Sequence, residues 1–151
     1  MVVHFVCSGN AYRSRLAEAY LNSKKIKGIE VMSSGIMADR NLVNGPVAWL
    51  AERIIENNEW VEFMSLEKKK ATPETIAKSD LLIFMEPRHF EYCKEHMDLD
   101  RQKYEIWNVP DIDQLVENYI DRSFEKDIEE MKLSEETFVK IRSKVDALDL
   151  G

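Results

Sequence analysis

The first 25 residues constrain this chain more than any other stretch. Val2 to Val6 is an apolar run interrupted only by His4, the pattern of a strand buried on both faces. A loop then opens at Cys7 and reads Cys7-Ser8-Gly9-Asn10-Ala11-Tyr12-Arg13-Ser14. From Arg13 onward Leu16, Ala17, Tyr20 and Leu21 recur at helical spacing. A buried strand, a tight loop and a helix in immediate succession dictate an α/β start and seat the loop at a helix N-terminus.

That placement has chemical consequences. The first N–H groups of a helix have no partner within it, and the helix dipole adds partial positive charge at the same end. A phosphate-sized anion is the natural guest. Gly9 lets the backbone turn successive N–H groups inward, and Asn10 tolerates a left-handed conformation better than most residues. Arg13 can hold two phosphate oxygens at once with its planar fork. The same positive field favours a thiolate at Cys7, and Ser14 can donate a hydrogen bond to it. A lone cysteine at a strand end reads as a small buried hydrophobe. Gly9, Asn10, Arg13 and Ser14 around it give the nucleophile reading its weight.

The loop resembles the C-x-G-N-x-C-R-S signature of the low-molecular-weight protein tyrosine phosphatase family. Cys7, Gly9, Asn10, Arg13 and Ser14 match it, and Tyr12 stands where the family usually has a second cysteine. Leu16-Ala17-Glu18-Ala19 resembles the M-A-E-A continuation, Ser33-Ser34-Gly35 the S-A-G segment, and Asp80 to Met85 the D-x-I-x-x-M strand. The resemblance implies that Cys7 is the nucleophile of a cysteinyl-phosphate intermediate and that Arg13 binds the phosphate. Ser8, Gly9, Asn10, Ala11, Tyr12 and Ser14 would form the phosphate-binding loop, with Asn10, Ser14 and Ser33 holding its shape. The family's general acid is an aspartate in a late D-P motif. The matching segment here is Val109-Pro110-Asp111-Ile112-Asp113, so Asp111 would be the acid and Ile112 replaces the proline.

An aspartate at that place has a chemical reason. Expelling an alkoxide or phenoxide is slow unless a proton arrives with it, and the resulting carboxylate can then activate water. Phosphoryl transfer otherwise asks for positioning and charge stabilisation. An aspartate after proline also serves as a turn or helix cap. Two aspartates in three residues allow both uses, with Asp111 as acid and Asp113 as cap for a helix beginning near Gln114.

Along the chain, strand patterns at 2–7, 30–34, 81–85 and 105–109 alternate with helical ones near 14–24, 46–57, 73–79 and 87–95. This alternation predicts a three-layer α/β fold, a four-stranded parallel sheet flanked by helices, with the phosphate-binding loop after the first strand. Residues 114–148 read as charge-rich helix broken around Leu133-Ser134, with Ser134-Glu135-Glu136-Thr137 opening the last segment. Phe138, Ile141, Val145 and Leu148 form an apolar stripe suited to packing on the sheet. Lys68-Lys69-Lys70 reads as a solvated face that could also attract an anionic substrate. A chain of 151 residues without repeats or linkers predicts a single domain over 1–151.

Composition narrows the function further. A net charge of −7 argues against nucleic acid as a partner. No apolar run suits a membrane span, and the N-terminal strand lacks signal-peptide features, so a cytoplasmic monomer or weak homodimer is expected. Cys7 and Cys93 are the only cysteines, which fits a reducing compartment. His4, His89 and His96 show no ligand spacing with either thiol, so no metal or other cofactor is expected.

Specificity is less conventional. Phosphotyrosine-specific members carry aromatic walls after the S-A-G segment and after the acid, whereas Ile36-Met37-Ala38-Asp39-Arg40 and Ile112-Asp113 contain none. Relatives acting on phosphoarginine carry a small hydroxyl residue where Ala11 stands. Tyr12, Trp49 and Trp107 could each supply a wall or belong to the core. The expected substrate is therefore a phosphorylated protein, on phosphotyrosine or a related side chain, or a small phosphomonoester. Two other functions share the loop. A thiol-linked arsenate reductase would need Cys93 as its resolving thiol, and a phosphate-binding module would have kept the cradle without turnover.

Overall fold

The computed structural model describes residues 1–40, 45–99, 101–112 and 124–151. Four parallel strands, β1 (Val2–Cys7), β2 (Glu30–Gly35), β3 (Leu81–Phe84) and β4 (Lys103–Ile106), lie in the order β2-β1-β3-β4. Among the described residues five helices accompany them: α1 (Arg13–Ser23), α2 (Trp49–Asn57), α3 (Pro73–Ala77), α4 (Pro87–His96) and α5 (Phe124–Asp146). Single 3₁₀ turns occupy Ala38–Arg40 and Val61–Phe63. The predicted four-stranded parallel sheet flanked by helices is the fold observed.

The apolar runs of β1 and β3 divide by strand periodicity. Val3, Phe5 and Cys7, with Leu81, Ile83 and Met85, face a core completed by Leu16 and Leu21 of α1, Leu50 and Ile54 of α2, and Phe138, Ile141 and Val145 of α5. Val6, Leu82 and Phe84 face the opposite layer with Ile76 of α3 and Cys93 of α4. Both faces of the central strands are covered, which is why they read as continuous apolar runs. The chain leaves β1 for β2 on one side and returns to β3 on the other. Cys7, at the carboxyl end of β1, therefore lies at the point where strand order reverses, the usual ligand position in open α/β sheets.

Three elements differ from the sequence reading. Strand β4 runs Lys103–Ile106 rather than 105–109, because Asn108 has φ +54° and ends the extended backbone. Trp107 N–H still donates to Phe84 O at 2.9 Å and Val109 N–H to Met85 O at 2.7 Å, so the segment stays beside the end of β3. Helix α2 begins at Trp49 rather than 46, because Ala48 is extended and its N–H donates to Ala11 O at 2.8 Å. Helix α5 runs unbroken through Leu133-Ser134. Ser134 does not cap a helix; it is buried, and its hydroxyl bonds the Tyr12 hydroxyl at 2.6 Å. The proposed cap Asp113 and the start of a helix near Gln114 lie outside the described residues.

Candidate active site

The loop between β1 and α1 is shaped from outside. Cys7 O accepts from Ile36 N–H at 3.0 Å, Ser8 O from Met37 N–H at 2.7 Å and Ala11 O from Ala48 N–H at 2.8 Å. Asn10 takes a left-handed conformation, φ +52°, and its carbonyl accepts from the guanidinium of Arg15 at 3.1 Å. The carbonyls are turned away from the loop's concave side. Among the described residues no backbone carbonyl takes the N–H groups of Gly9 to Tyr12, and no side chain caps the N-terminus of α1 at Tyr12. Unpaired donors and a helix dipole at one loop suit it to an anion.

A directed chain of hydrogen bonds ends at the thiol. The Glu18 carboxylate only accepts, so Ser33 donates to it, at 2.7 Å. The Ser33 oxygen then accepts from Asn10 Nδ2 at 3.0 Å, and the same amide nitrogen donates to Ser14 Oγ at 2.9 Å. Ser14 Oγ lies 2.9 Å from Cys7 Sγ and can direct its own proton to a thiolate there. Asn10 Oδ1 accepts from Lys69 N–H at 2.8 Å, which fixes the amide's orientation. Gly35 closes the rear of the loop: a Cβ there would lie 2.5 Å from both Asn10 N and Ser8 O.

Arg13 is buried and held by several groups. Its Nη1 donates to Glu86 at 2.5 Å and to Val109 O at 2.8 Å, while Nη2 lies 3.4 Å from Ser8 Oγ and 3.6 Å from the carboxylate of Asp111. Burial alone would lower the pKa of Arg13, but Cys7, Asp111 and Glu86 outweigh it and raise it. Burial likewise works against ionised Glu86, yet hydrogen bonds from Arg13 and Arg88 hold it below the usual carboxylate range. The structure thus brings Cys7, Arg13, Ser14, Asn10, Ser33 and Asp111 to one end of the sheet.

Four charged or titratable residues of this site escaped the sequence reading. Arg15 is fully buried and donates to the carbonyls of Asn10, Pro46, Glu67 and Ser65, with Glu18 at 3.7 Å as its counter-charge. Glu18 was visible only as a motif letter, and Glu86 and His89 only as the start of a helix after Met85. A charged residue among the apolar positions of α1 was the one available signal for Arg15.

The aromatic candidates resolve differently. Tyr12 and Trp107 are core residues, with Trp107 packed 5.6 Å from the Phe5 ring, and neither forms a wall. Trp49 at the start of α2 stays partly exposed. Ile112 is buried in the main core. Cys93 is also buried, and burial pushes its thiol up to about 11. Lys70 is engaged with the Ile36 carbonyl and stands 3.2 Å from the Tyr92 hydroxyl. Among the described residues no cluster of His, Cys, Asp or Glu is arranged to hold a metal ion, and no helix is long and apolar enough to cross a membrane.

Comparison with curated proteins finds no match. Solved structures match over nearly the whole chain. Wzb of Vibrio vulnificus, in complex with benzylphosphonate, is 21% identical, with a TM-score of 0.71 and coverage of 97% of this chain and 94% of that one. A low molecular weight phosphotyrosine phosphatase of Vibrio cholerae O395 is 19% identical, with a TM-score of 0.73 over 97% and 93% of the two chains. The arginine phosphatase YwlE, as a C7S mutant with a phosphorylated active-site serine, is 22% identical, with a TM-score of 0.65 over 97% and 94%; Bacillus subtilis is the source of a YwlE mutant that is 23% identical, with the same TM-score over 97% of both chains. At these identities the likeness concerns the fold. The family model described as low molecular weight phosphotyrosine protein phosphatase matches residues 2–148, and the chain belongs to that phosphatase family.

Proposed function

We propose that this protein is a cysteine-dependent phosphatase that removes phosphoryl groups from protein side chains through a cysteinyl-phosphate intermediate. The observation that carries the reading is the Ser14 hydroxyl 2.9 Å from Cys7 Sγ at the foot of a loop with inward N–H groups. The Cys7 thiolate attacks phosphorus, and the phosphoryl oxygens are held by the loop amides and Arg13. Asp111 gives its proton to the departing oxygen as the P–O bond breaks. Its carboxylate then takes a proton from the water that attacks the S–P bond, which returns Cys7 to its thiolate and releases phosphate. The whole chain acts as one catalytic domain in the cytoplasm, without a cofactor.

The experiment is hydrolysis of para-nitrophenyl phosphate by wild type and Cys7→Ser, with rapid acid quenching to trap the phosphoenzyme. Wild-type turnover with a phosphoryl group trapped on Cys7, and no turnover by Cys7→Ser, is expected. Phosphate binding without turnover would instead make the chain a binding module.

A second substrate reading has its own support. No aromatic residue occurs in 36–40 or in 109–112, so a phosphotyrosine ring lacks a stacking partner from those segments. The similar chain YwlE is an arginine phosphatase. Phosphoarginine is the alternative substrate, and kcat/KM on matched phosphotyrosine and phosphoarginine peptides separates the two.

A further inference from the structure

The side chain of Ser8 is held by a residue of α4. Its Oγ lies 2.9 Å from Nε2 of His89, a fully buried residue in the first turn of α4. The other ring nitrogen, Nδ1, accepts from the backbone N–H of Glu86 at 3.1 Å. An accepting Nδ1 carries no proton, so the neutral ring bears its hydrogen on Nε2 and donates to Ser8. Burial, together with the nearby cations Arg13 and Arg88, keeps this imidazole neutral, lowering its pKa to about 3.

Ser8 therefore receives a hydrogen bond from His89, and Arg13 Nη2 approaches the same oxygen at 3.4 Å. With its oxygen facing two donors, the hydroxyl hydrogen must point elsewhere. The guanidinium indicates where an anion sits. Nη1 is occupied by Glu86 and Val109 O, which leaves the Nη2 edge, bordered by Ser8 and at 3.6 Å by Asp111, for phosphoryl oxygens. A Ser8 hydroxyl that cannot donate to His89 or Arg13 can donate to a phosphoryl oxygen held at that edge.

Resting on the proposed phosphate cradle, we propose that Ser8 is a side-chain hydrogen-bond donor to the bound phosphoryl group and that His89 is the positioning residue that fixes its hydroxyl in that role. His89 touches no substrate. It acts by denying Ser8 the alternative of donating to the protein.

Titration calorimetry with inorganic phosphate tests this in five variants: Ser8→Ala, His89→Gln, His89→Asn and each His89 change combined with Ser8→Ala. Ser8→Ala should weaken phosphate about tenfold, the loss of one hydrogen bond to a charged group. Glutamine reaches with an N–H toward the place of Nε2, whereas asparagine is too short. His89→Gln should bind within about twofold of wild type and His89→Asn about tenfold weaker, and that difference should vanish when Ser8 is alanine. A difference between the two His89 variants that persists without Ser8 would show His89 to be structural only and overturn the proposal. Unchanged affinity in Ser8→Ala overturns it even if neither His89 variant folds. A wild-type protein that binds no phosphate would instead refute the cradle itself.

Discussion

Ser33 and Glu18 stand 2.7 Å apart, and because a carboxylate cannot donate, Ser33 must donate to Glu18 and accept from Asn10. Lys69 N–H fixes the Asn10 amide so that its nitrogen also donates to Ser14, whose proton then serves a Cys7 thiolate 2.9 Å away. Glu18 also accepts from Ser65 N–H at 3.0 Å and neutralises buried Arg15. One carboxylate thus serves both the polarity of the relay and the charge balance beneath the loop.

Glu18→Gln removes that charge and leaves Ser33 free to accept from the new amide instead of donating. Breaking a buried ion pair from one side costs about 3 kcal/mol. Urea denaturation should register a loss of that size, and iodoacetate should modify Cys7 more slowly than in wild type. A variant as stable as wild type, with an unchanged alkylation rate, would remove Glu18 from this account.

Two glycines near the loop should behave oppositely. A Cβ on Gly35 would meet backbone atoms of Asn10 and Ser8 at 2.5 Å, whereas one on Gly9 meets nothing within 4 Å. Neither neighbour of Gly35 can move without reshaping the loop. Gly35→Ala should cost several kcal/mol, typical of a backbone clash, and lose phosphate binding. Gly9→Ala should melt within a few degrees of wild type, the effect of about 0.5 kcal/mol. Thermal melts of both variants, with and without phosphate, check the contrast.

The same distinction between local and long-range causes explains what could be read in advance. The β1, loop and α1 succession was legible because each signal lies within a few residues: an apolar run, Gly9 beside Asn10, then helical spacing. Strand β4 was misplaced because its boundary depends on the left-handed Asn108, which carries no pattern of its own. The break expected at Ser134 failed because a polar residue in a helix looks like a cap until its partner, Tyr12, is seen across the core. Glu86 and His89 gained meaning only when the sheet brought β3 and α4 against the loop, and Arg15 only when the carbonyls of Pro46, Ser65 and Glu67 closed around it.

Stability should fall steeply in mild acid because two histidines are buried in neutral form. His4 donates from Nδ1 to Ser79 Oγ at 2.9 Å, since that hydroxyl is itself committed to Thr75 O, and its Nε2 accepts from Ser34 at 2.6 Å. Burial lowers its pKa to about 4, and that of His89 to about 3, from 6.5. The unfolded chain therefore binds protons below pH 6.5 that the folded chain refuses down to pH 4 and 3. This contribution is complete above pH 6.5 and is lost as pH falls through that window. With about two protons taken up on unfolding near pH 5, the slope is about 2.7 kcal/mol per pH unit. Urea denaturation from pH 7 to pH 4.5 measures it, and a flat profile between pH 7 and 5 would contradict the neutral burial of both rings.

The proposed acid role of Asp111 can be tested against Asp113, which lies outside the described residues. Asp111 has a carboxylate oxygen 3.6 Å from Arg13 Nη2, which is the right neighbourhood for a group that protonates an oxygen leaving a phosphoryl held by that guanidinium. General acid help is worth about 100-fold or more when the leaving group is a poor one. Asp111→Asn should therefore lower kcat about 100-fold on phenyl phosphate and distinctly less on para-nitrophenyl phosphate, whose phenoxide leaves without a proton. KM should change little, because the fork of Arg13 and the loop amides still hold the phosphoryl group. Asp113→Asn should alter neither leaving-group dependence nor kcat by more than about twofold, as expected of the capping role its sequence suggests. Steady-state rates on the two esters for both variants decide the matter: equal losses from Asp111→Asn and Asp113→Asn, or a loss from Asp111→Asn that ignores the leaving group, would take the acid role away from Asp111.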